Sequence, residues 1–151
     1  MPAEAETRIR VRYAETDQMG VVYYANYLVW MEIGRVDLCR ALGFNYRDME
    51  RDDGVFLAVA EASCRYRAPA RFDDEVVVRT WVAEANTRMA IIAYEIRLAE
   101  APPAELPADA APRGRTLATG QTRHVFVSRD FQRVRLPRKY RAMFGIADTE
   151  R

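Results

Sequence analysis

The order of apolar and polar residues divides the first third of the chain into one strand and one long helix. Residues 8–14 alternate apolar and polar side chains, which is the two-residue period of a strand. The segment from Val21 to Leu42 is apolar, free of proline and too long for a strand, so it predicts a helix. Its apolar residues surround much of the circumference, which predicts burial on more than one side. Asn26 suits the N-cap of this helix, and Gly43 suits its C-terminal end.

Four strand-like runs follow the helix. Asn86 and Thr87 separate the second run from the third and predict a tight hairpin turn. A Pro- and Ala-rich stretch, residues 100–114, separates the third run from the fourth and predicts an exposed loop. Pro137 opens a short helix near the end of the chain. The predicted strands are Val55–Arg67, Glu75–Ala85, Met89–Leu98 and Arg115–Val127.

This order of elements predicts an α+β fold in a single domain over residues 1–151. Strands that follow one another without intervening helices favour an antiparallel sheet, here of about five strands wrapped around the long helix. The other face of the sheet then needs cover, so we expect a homo-oligomer, a dimer or a tetramer. Trp81 and Tyr94 are candidates for that second face.

Charge is distributed unevenly along a chain whose formal net charge is only +1. Residues 1–112 carry 13 Arg against 19 Asp and Glu, whereas residues 113–151 carry nine Arg and Lys139 against three acidic residues. Arginine binds phosphate and carboxylate in a bidentate manner, although a GC-rich coding sequence gives the same composition. The near-neutral total argues against a uniformly basic nucleic-acid-binding protein and against an acidic disordered tail.

Cysteine and histidine content excludes several kinds of site. Cys39 and Cys64 are too few for a disulfide framework and form no CxxC pair, which favours a reducing cytoplasm. His124 is the only histidine, which excludes a multi-histidine metal site, and no ligand spacing supports a zinc site built from the two cysteines, His124 and a carboxylate. The segment MPAEAETRIRVRY contains no apolar signal core, and no apolar run reaches the roughly 18 residues of a membrane span.

The candidate chemistry lies in the loop before the long helix. Asp17 stands in this loop together with Gly20, which would let the backbone approach a substrate closely. The start of the helix supplies unpaired N–H donors and partial positive charge, which can polarise a carbonyl oxygen. A carboxylate beside it could attack that carbonyl or activate water, although Asp and Gly before a helix commonly serve capping and turning.

Three segments of the chain form recognisable motifs. They are Tyr13-x-Glu15-Thr16-Asp17-x-x-Gly20-Val21-Val22-Tyr23-Tyr24-x-Asn26-Tyr27, Tyr66-x-x-Pro69-Ala70-Arg71-Phe72-Asp73-Asp74-Glu75-Val76 and Gly120-x-Thr122-x-His124-Val125-Phe126-Val127. These segments resemble hotdog-fold acyl-CoA thioesterases of the 4-hydroxybenzoyl-CoA thioesterase family. Together they cover most of residues 8–140, and the long helix wrapped by an antiparallel sheet is that family's fold. The resemblance implies no metal or redox cofactor.

The resemblance implies hydrolysis of a CoA thioester to a carboxylic acid and CoA, with Asp17 as nucleophile or general base. It places the thioester carbonyl near the backbone of Val22, Tyr23 and Tyr24. A branch of the family associated with the Tol–Pal gene cluster has histidine at the position of Tyr24, so a mechanism that needs a histidine beside the aspartate is in doubt. The Tyr24 hydroxyl could bond to the carboxylate or the substrate, but it is a poor base at neutral pH.

Further candidate residues lie outside the loop of Asp17, and most of them are charged. Glu32 and Arg35 are three residues apart on the helix, so a structural ion pair is expected, with contact between Glu32 and the acyl group as the alternative. His124 and Cys64 are expected to be packing or interface residues. The candidates for binding the phosphates of CoA are Arg67, Arg88, Arg129, Arg133, Arg138 and Lys139.

Three alternatives remain open from the sequence. An acyl-carrier-protein thioesterase of the same fold would use the same catalytic residues on a different thioester. A hotdog protein that binds acyl-CoA without cleaving it would need no catalytic carboxylate. A nucleic-acid-binding protein would use the basic C-terminal part, but that part lacks aromatic residues alternating with charge on a strand surface.

Overall fold

A single antiparallel sheet is the scaffold of the part of the chain that the computed structural model describes, residues 3–100 and 114–147. Its strands are β1 (Glu4–Arg10), β2 (Phe56–Tyr66), β3 (Glu75–Ala85), β4 (Met89–Leu98) and β5 (Thr116–Val127). They lie in the order β1-β3-β4-β5-β2, and every neighbouring pair is antiparallel. The predicted loop over residues 100–114 falls mostly on residues 101–113, which lie outside the described part.

The long helix α1 (Asn26–Leu42) packs across one face of this sheet and ends as predicted at Gly43. Gly43 has a φ of 110°, and its N–H donates to the carbonyl oxygens of Cys39 and Arg40. The other helices are short: α2 (Tyr46–Asp48) continues into a π-helical turn (Met49–Asp53), and α3 (Arg138–Arg141) follows Pro137. The α+β fold with a helix on a five-stranded antiparallel sheet is therefore confirmed.

Some predicted details are corrected by tertiary contacts. The first strand covers Glu4–Arg10 instead of residues 8–14, because its register against β3 runs from Glu4 opposite Trp81 to Arg10 opposite Glu75. Asn26 is the first helical residue and not the N-cap, and its side chain bonds to the preceding loop. The polar connection after α1 contains helical turns, because Met49 is fully buried and anchors it.

Burial of α1 is one-sided in the single chain, contrary to the prediction. Trp30, Met31 and Leu38 face the sheet and are fully buried. On the opposite side Leu28, Val29 and Ile33 remain 39–47% exposed, because the sheet covers only one face of the helix. Tyr94 was expected on the outer face of the sheet but lies on the helix-facing side, where it is fully buried among core residues.

Close packing between α1 and β3 depends on a glycine. A Cβ atom placed on Gly34 would lie 2.5 Å from Thr80 Oγ1 and 2.9 Å from Val78 Cγ1. Neither distance is compatible with an unmoved side chain, so the absence of a side chain lets the helix approach the sheet. The close contact at Gly34 sets the distance between α1 and the sheet. It therefore also sets the position of the N-terminal end of α1, where the candidate site lies.

Candidate active site

The loop that carries Asp17 is closed on itself by short hydrogen bonds. The Asp17 N–H donates to the Val21 carbonyl oxygen at 2.9 Å, and the Gly20 N–H donates to the Asp17 carbonyl oxygen at 3.0 Å. Gly20 has a φ of 78°, a left-handed conformation that favours glycine. Asp17 Oδ1 accepts the Met19 N–H at 2.9 Å. No side-chain or backbone donor within residues 3–100 and 114–147 reaches the second carboxylate oxygen.

Glu15 attaches this loop to the start of α1. Its buried carboxylate accepts the Trp30 Nε1–H at 2.7 Å and the Arg12 N–H at 2.8 Å. Its carbonyl oxygen accepts the Tyr23 N–H at 2.9 Å and the Asn26 Nδ2–H at 2.8 Å. Glu15 thus contacts α1 through its side chain. Its backbone carbonyl contacts the segment where the loop ends and α1 begins.

The backbone N–H groups near the helix start divide into bonded and unbonded ones. The Val22 N–H donates to the Ala70 carbonyl oxygen and the Tyr23 N–H to the loop, each at 2.9 Å. These two groups, expected at a thioester carbonyl, are therefore already used within the fold. Tyr24 and Ala25 have N–H groups with no acceptor in the described residues. Of these four N–H groups, those of Tyr24 and Ala25 are therefore available to a substrate oxygen. The sequence predicted only Tyr24 of these two.

Asp17 lines a pocket of about 350 Å³ at the start of α1. Tyr24 and Tyr66 form an aromatic wall with ring centroids 6.4 Å apart, and Tyr66 Oη donates to the Tyr24 carbonyl oxygen at 2.9 Å. Arg67, which follows β2, lines the same pocket, and it is the one predicted phosphate-binding residue among the lining residues. The lining residues are Asp17, Met19, Val21, Val22, Tyr24, Tyr27, Tyr66, Arg67, Ala68 and Pro69.

The phenols of Tyr23 and Tyr66 are proton donors at neutral pH. Tyr23 and Tyr24 stack with ring centroids 4.6 Å apart. The neighbouring Tyr24 side chain and, more weakly, the charge of Asp17 raise the pKa of Tyr23 above its ordinary value. Burial likewise raises the pKa of Tyr66 and that of the Cys64 thiol. Cys64 is therefore protonated at neutral pH, in agreement with its predicted packing role.

Glu32 lies away from the Asp17 pocket. It lines a second cavity of about 280 Å³ beside the second to fourth turns of α1, together with Arg35, Val36, Cys39, Tyr46 and Leu57. The expected ion pair with Arg35 is absent from the described part of the structure, because Arg35 Nη1 instead donates to Tyr94 Oη at 3.2 Å. In the single chain, Glu32 and Asp17 therefore belong to different pockets.

A buried chain of hydrogen bonds leads from Arg35 to His124. Tyr94 Oη and Thr122 Oγ1 are 2.6 Å apart, Thr122 Oγ1 and His124 Nε2 are 2.7 Å apart, and His124 Nδ1 lies 3.4 Å from the Leu57 carbonyl oxygen. Arginine can only donate and a carbonyl can only accept, so every proton in the chain points from Arg35 towards Leu57. His124 is fully buried, which confirms its predicted packing role.

The predicted phosphate-binding arginines do not form one cluster. Arg88 and Arg133 line a shallow pocket of about 180 Å³ with Arg135, beside the β3–β4 hairpin and therefore at the opposite end of the sheet from the Asp17 loop. Arg129 donates two hydrogen bonds, to the carbonyl oxygens of Glu50 and Arg51, and so holds a loop. Arg138 and Lys139 lie in α3, and Lys139 forms an ion pair with Asp53.

Sequence reasoning gave no role to three residues that organise the site. Glu15 and Tyr66 were part of the recognised segments, and Trp30 was read only as an apolar helix residue. Their partners are distant in sequence: Trp30 lies 15 residues after Glu15, and Tyr66 lies 42 residues after Tyr24. Spacing within a loop or a strand therefore contains no signal for these bonds.

The described residues contain neither a cluster of metal-binding side chains nor a membrane-spanning helix. Within residues 3–100 and 114–147, no group of three or more His, Cys, Asp or Glu side chains is close enough to hold a metal ion. No helix in the same residues combines the length and the apolar character needed to cross a membrane.

Comparison with known proteins identifies the family. Residues 19–102 match the Thioesterase superfamily. The putative acyl-CoA thioesterase YneP of Bacillus subtilis is 47% identical over 92 residues, which are 61% of this chain and 66% of YneP, just under two thirds of that relative.

Two solved structures superpose over nearly the whole chain. The hypothetical protein TT1821 from Thermus thermophilus has a TM-score of 0.79 and 37% identity, with 94% of this chain and 95% of that one covered. The DHNA-CoA thioesterase from Staphylococcus aureus has a TM-score of 0.81 and 31% identity, with 94% and 89% covered. The recognised segments, the helix-on-sheet fold and these matches agree, and the chain belongs to the thioesterase superfamily, with the hotdog fold expected from its sequence.

Proposed function

We propose that this protein hydrolyses acyl-CoA thioesters to a free carboxylic acid and CoA. The observation that carries the proposal is the arrangement at the start of α1. Asp17 has a carboxylate oxygen that no donor in the described residues reaches, and it lines a pocket together with Tyr24, whose N–H, like that of Ala25, has no acceptor in those residues. A nucleophile or base next to two oxyanion donors is what acyl transfer requires. The names of similar proteins, including an acyl-CoA thioesterase, support this reaction.

In the proposed reaction Asp17 acts on the thioester carbonyl carbon in one of two ways. As a general base it takes a proton from water, whose oxygen adds to the carbonyl carbon. As a nucleophile its oxygen adds to that carbon, and water later hydrolyses the resulting anhydride. In both routes the carbon–sulfur bond breaks, and the sulfur leaves as the CoA thiolate, which then takes up a proton. No redox step or group-transfer cofactor is needed, and the proposal includes none.

The carbonyl oxygen gains negative charge during either route. The Tyr24 N–H, with the Ala25 N–H beside it, stands at the start of a 17-residue helix, where the helix dipole adds partial positive charge. Val22 lines the pocket, and Gly20 lies in the loop that carries Asp17, where a Cβ would meet no atom within 4 Å. The Tyr24 phenol borders the pocket, where its hydroxyl can donate a hydrogen bond to the substrate.

Binding of the CoA phosphates is assigned to arginine. Arg67 lies in the Asp17 pocket of the same chain and is the proposed contact there. Arg88 and Arg133 lie at the far end of the sheet, so they can serve this site only from a neighbouring subunit. Binding of the CoA phosphates by Arg88 and Arg133 therefore depends on the proposed homo-oligomer. Contact between Glu32 and the acyl group depends on it too, because Glu32 lines a different cavity of the single chain.

The proposed homo-oligomer is supported by surfaces that the single chain leaves open. Strand β2 is an edge strand, so one of its sides has no strand partner in the five-stranded sheet. Val59 on that strand is 50% exposed, and the apolar residues Leu28, Val29 and Ile33 are exposed on the adjacent helix. Uncovered apolar surface and a free strand edge favour association. A molar mass above 17.4 kDa by light scattering is the expected result.

Asp17→Asn tests the proposed chemistry. Release of CoA thiol is measured for a panel of aryl, short-chain and long-chain acyl-CoAs, with one carrier-protein thioester for comparison. We expect kcat to fall by about 10²–10⁴-fold, because the amide is neither a base nor a nucleophile. The fold should persist, since the Asn oxygen still accepts the Met19 N–H.

Asp130→Asn is the matched control, because Asp130 is an exposed carboxylate in the turn after β5, away from the Asp17 pocket. It should retain wild-type activity. Full activity of Asp17→Asn would remove the proposed mechanism. An inactive wild-type protein on the entire panel would remove the proposed function.

A further inference from the structure

We propose that Glu15 is a positioning residue that sets the geometry between Asp17 and the oxyanion donors; this inference rests on the proposed function. Glu15 touches no part of the pocket itself. Its five hydrogen bonds connect the loop before Asp17, the backbone just before Tyr24 and the body of α1.

The carboxylate of Glu15 holds two donors that come from different elements. Trp30 Nε1 donates to Oε2 from α1, and the Arg12 N–H donates to Oε1 from the chain that leaves β1. Glu15 is 4% exposed and Trp30 is fully buried, so water does not replace the bond between them, whereas the bond to the Arg12 N–H is partly buried. Charge-assisted bonds of this kind are short and strong, which makes the loop position well defined relative to the helix.

The backbone of Glu15 acts on the other half of the site. Its carbonyl oxygen accepts the Tyr23 N–H and the Asn26 side-chain N–H. The peptide N–H that follows Tyr23 belongs to Tyr24, the proposed oxyanion donor. Asp17 is two residues after Glu15 in the chain, so one buried residue sets the position of both reacting groups. A displacement of about 1 Å between such groups can lower the rate by about 100-fold.

Substitution by glutamine separates this role from simple packing. Gln has almost the same shape, but its amide has one acceptor oxygen where the carboxylate has two, and its NH₂ only donates. Either the buried Trp30 Nε1–H or the partly buried Arg12 N–H then faces another donor. Residue 15 can then no longer bond to both Trp30 in α1 and Arg12 in the loop. The distance between Asp17 and the Tyr24 N–H is therefore no longer fixed by these bonds.

The test compares Glu15→Gln with Tyr140→Phe in the full-length protein. Tyr140 also bonds to a carboxylate, that of Asp53, but it lies beyond the C-terminal end of α1, about 25 Å of helix from the site. Each variant loses one hydrogen bond that a carboxylate accepts, so thermal unfolding should reveal a loss of stability in each. Only Glu15→Gln should lose kcat, by about 100-fold, with KM changed by less than about threefold.

Hydrogen exchange supplies a readout that needs no activity. In Glu15→Gln the amides of Asp17 and Gly20, whose bonds close the loop, should exchange faster than in the wild type, while the strands keep their protection. In Tyr140→Phe these two amides should be unchanged.

Wild-type kcat in Glu15→Gln, or unchanged exchange of the loop amides, would overturn the positioning role while leaving the thioesterase proposal intact. Equal loss of kcat in Tyr140→Phe would also overturn it, because the loss would then follow general stability. If the wild type hydrolyses no thioester, the proposed function fails, and the exchange experiment still decides whether Glu15 holds the loop.

Discussion

The buried His124 predicts a specific dependence of stability on pH. Its ring is completely enclosed between α1 and the sheet, and its two nitrogens are bonded to Thr122 Oγ1 and the Leu57 carbonyl oxygen. Burial, together with the nearby Arg35 guanidinium, lowers the pKa of His124 from 6.5 to about 4. A second proton would also remove the acceptor that Thr122 uses, so the neutral ring is the form that fits the fold.

The magnitude follows from the difference in pKa between the folded and unfolded states. Between pH 6.5 and about 4 the unfolded chain binds a proton on His124 that the folded chain does not. The free energy of unfolding therefore falls as the pH is lowered through this range, and the contribution is fully present above pH 6.5. Each pH unit is worth about 1.4 kcal/mol, which gives a total of about 3 kcal/mol.

Urea unfolding of the wild type and His124→Gln at a series of pH values from 8 to 4 measures this contribution. Gln keeps one acceptor and one donor for the hydrogen-bond chain but does not titrate. The carboxylates are the same in both proteins, so the difference between the two pH profiles isolates His124. We expect the wild type to lose about 3 kcal/mol more than the variant across the range. Parallel profiles would refute the reasoning that burial depresses this pKa.

Two further predictions concern packing and phosphate binding. Gly34→Ala should destabilise the protein by about 1–3 kcal/mol in chemical unfolding, because the new methyl group would lie 2.5 Å from Thr80 Oγ1. Thr80→Ala in the same chain should recover part of that loss, since Thr80 Oγ1 has no hydrogen-bond partner in the described residues while the 2.9 Å contact with Val78 Cγ1 remains; no recovery would mean that the helix does not press on the Thr80 side chain. Arg67→Ala should raise KM for acyl-CoA several-fold, whereas Arg133→Ala should do so only if the protein is an oligomer. An Arg67→Ala variant with wild-type KM would argue against the proposed phosphate contact.

The secondary structure of this chain was predictable where local patterns are strong. The runs Glu75–Ala85 and Met89–Leu98 are strands with the predicted bounds, because alternation and the Asn86-Thr87 turn are both local signals. The end of α1 at Gly43 is equally local. The first strand was misplaced by four residues, because its position depends on pairing with β3, a contact between distant parts of the chain.

The candidate site was predictable only in part. The recognised segment contained Asp17, Gly20 and Tyr24, and the structure brings them to one pocket or its loop. Glu32 was assigned to the same site but lies at a different cavity in the single chain. Helical spacing places a residue on a face of the helix, but it does not tell which pocket that face lines.

The sequence by itself determined the family, the order of helix and strands, and the loop in which the proposed catalytic carboxylate stands. These depend on residue types at fixed short spacings, which the chain displays directly. Only the tertiary structure decided which backbone N–H groups are free, that Arg35 bonds to Tyr94 and not to Glu32, and that Glu15 joins the loop to Trp30. Each of these depends on groups that become neighbours only when α1 packs on the sheet, so the distances that control the chemistry are set by packing.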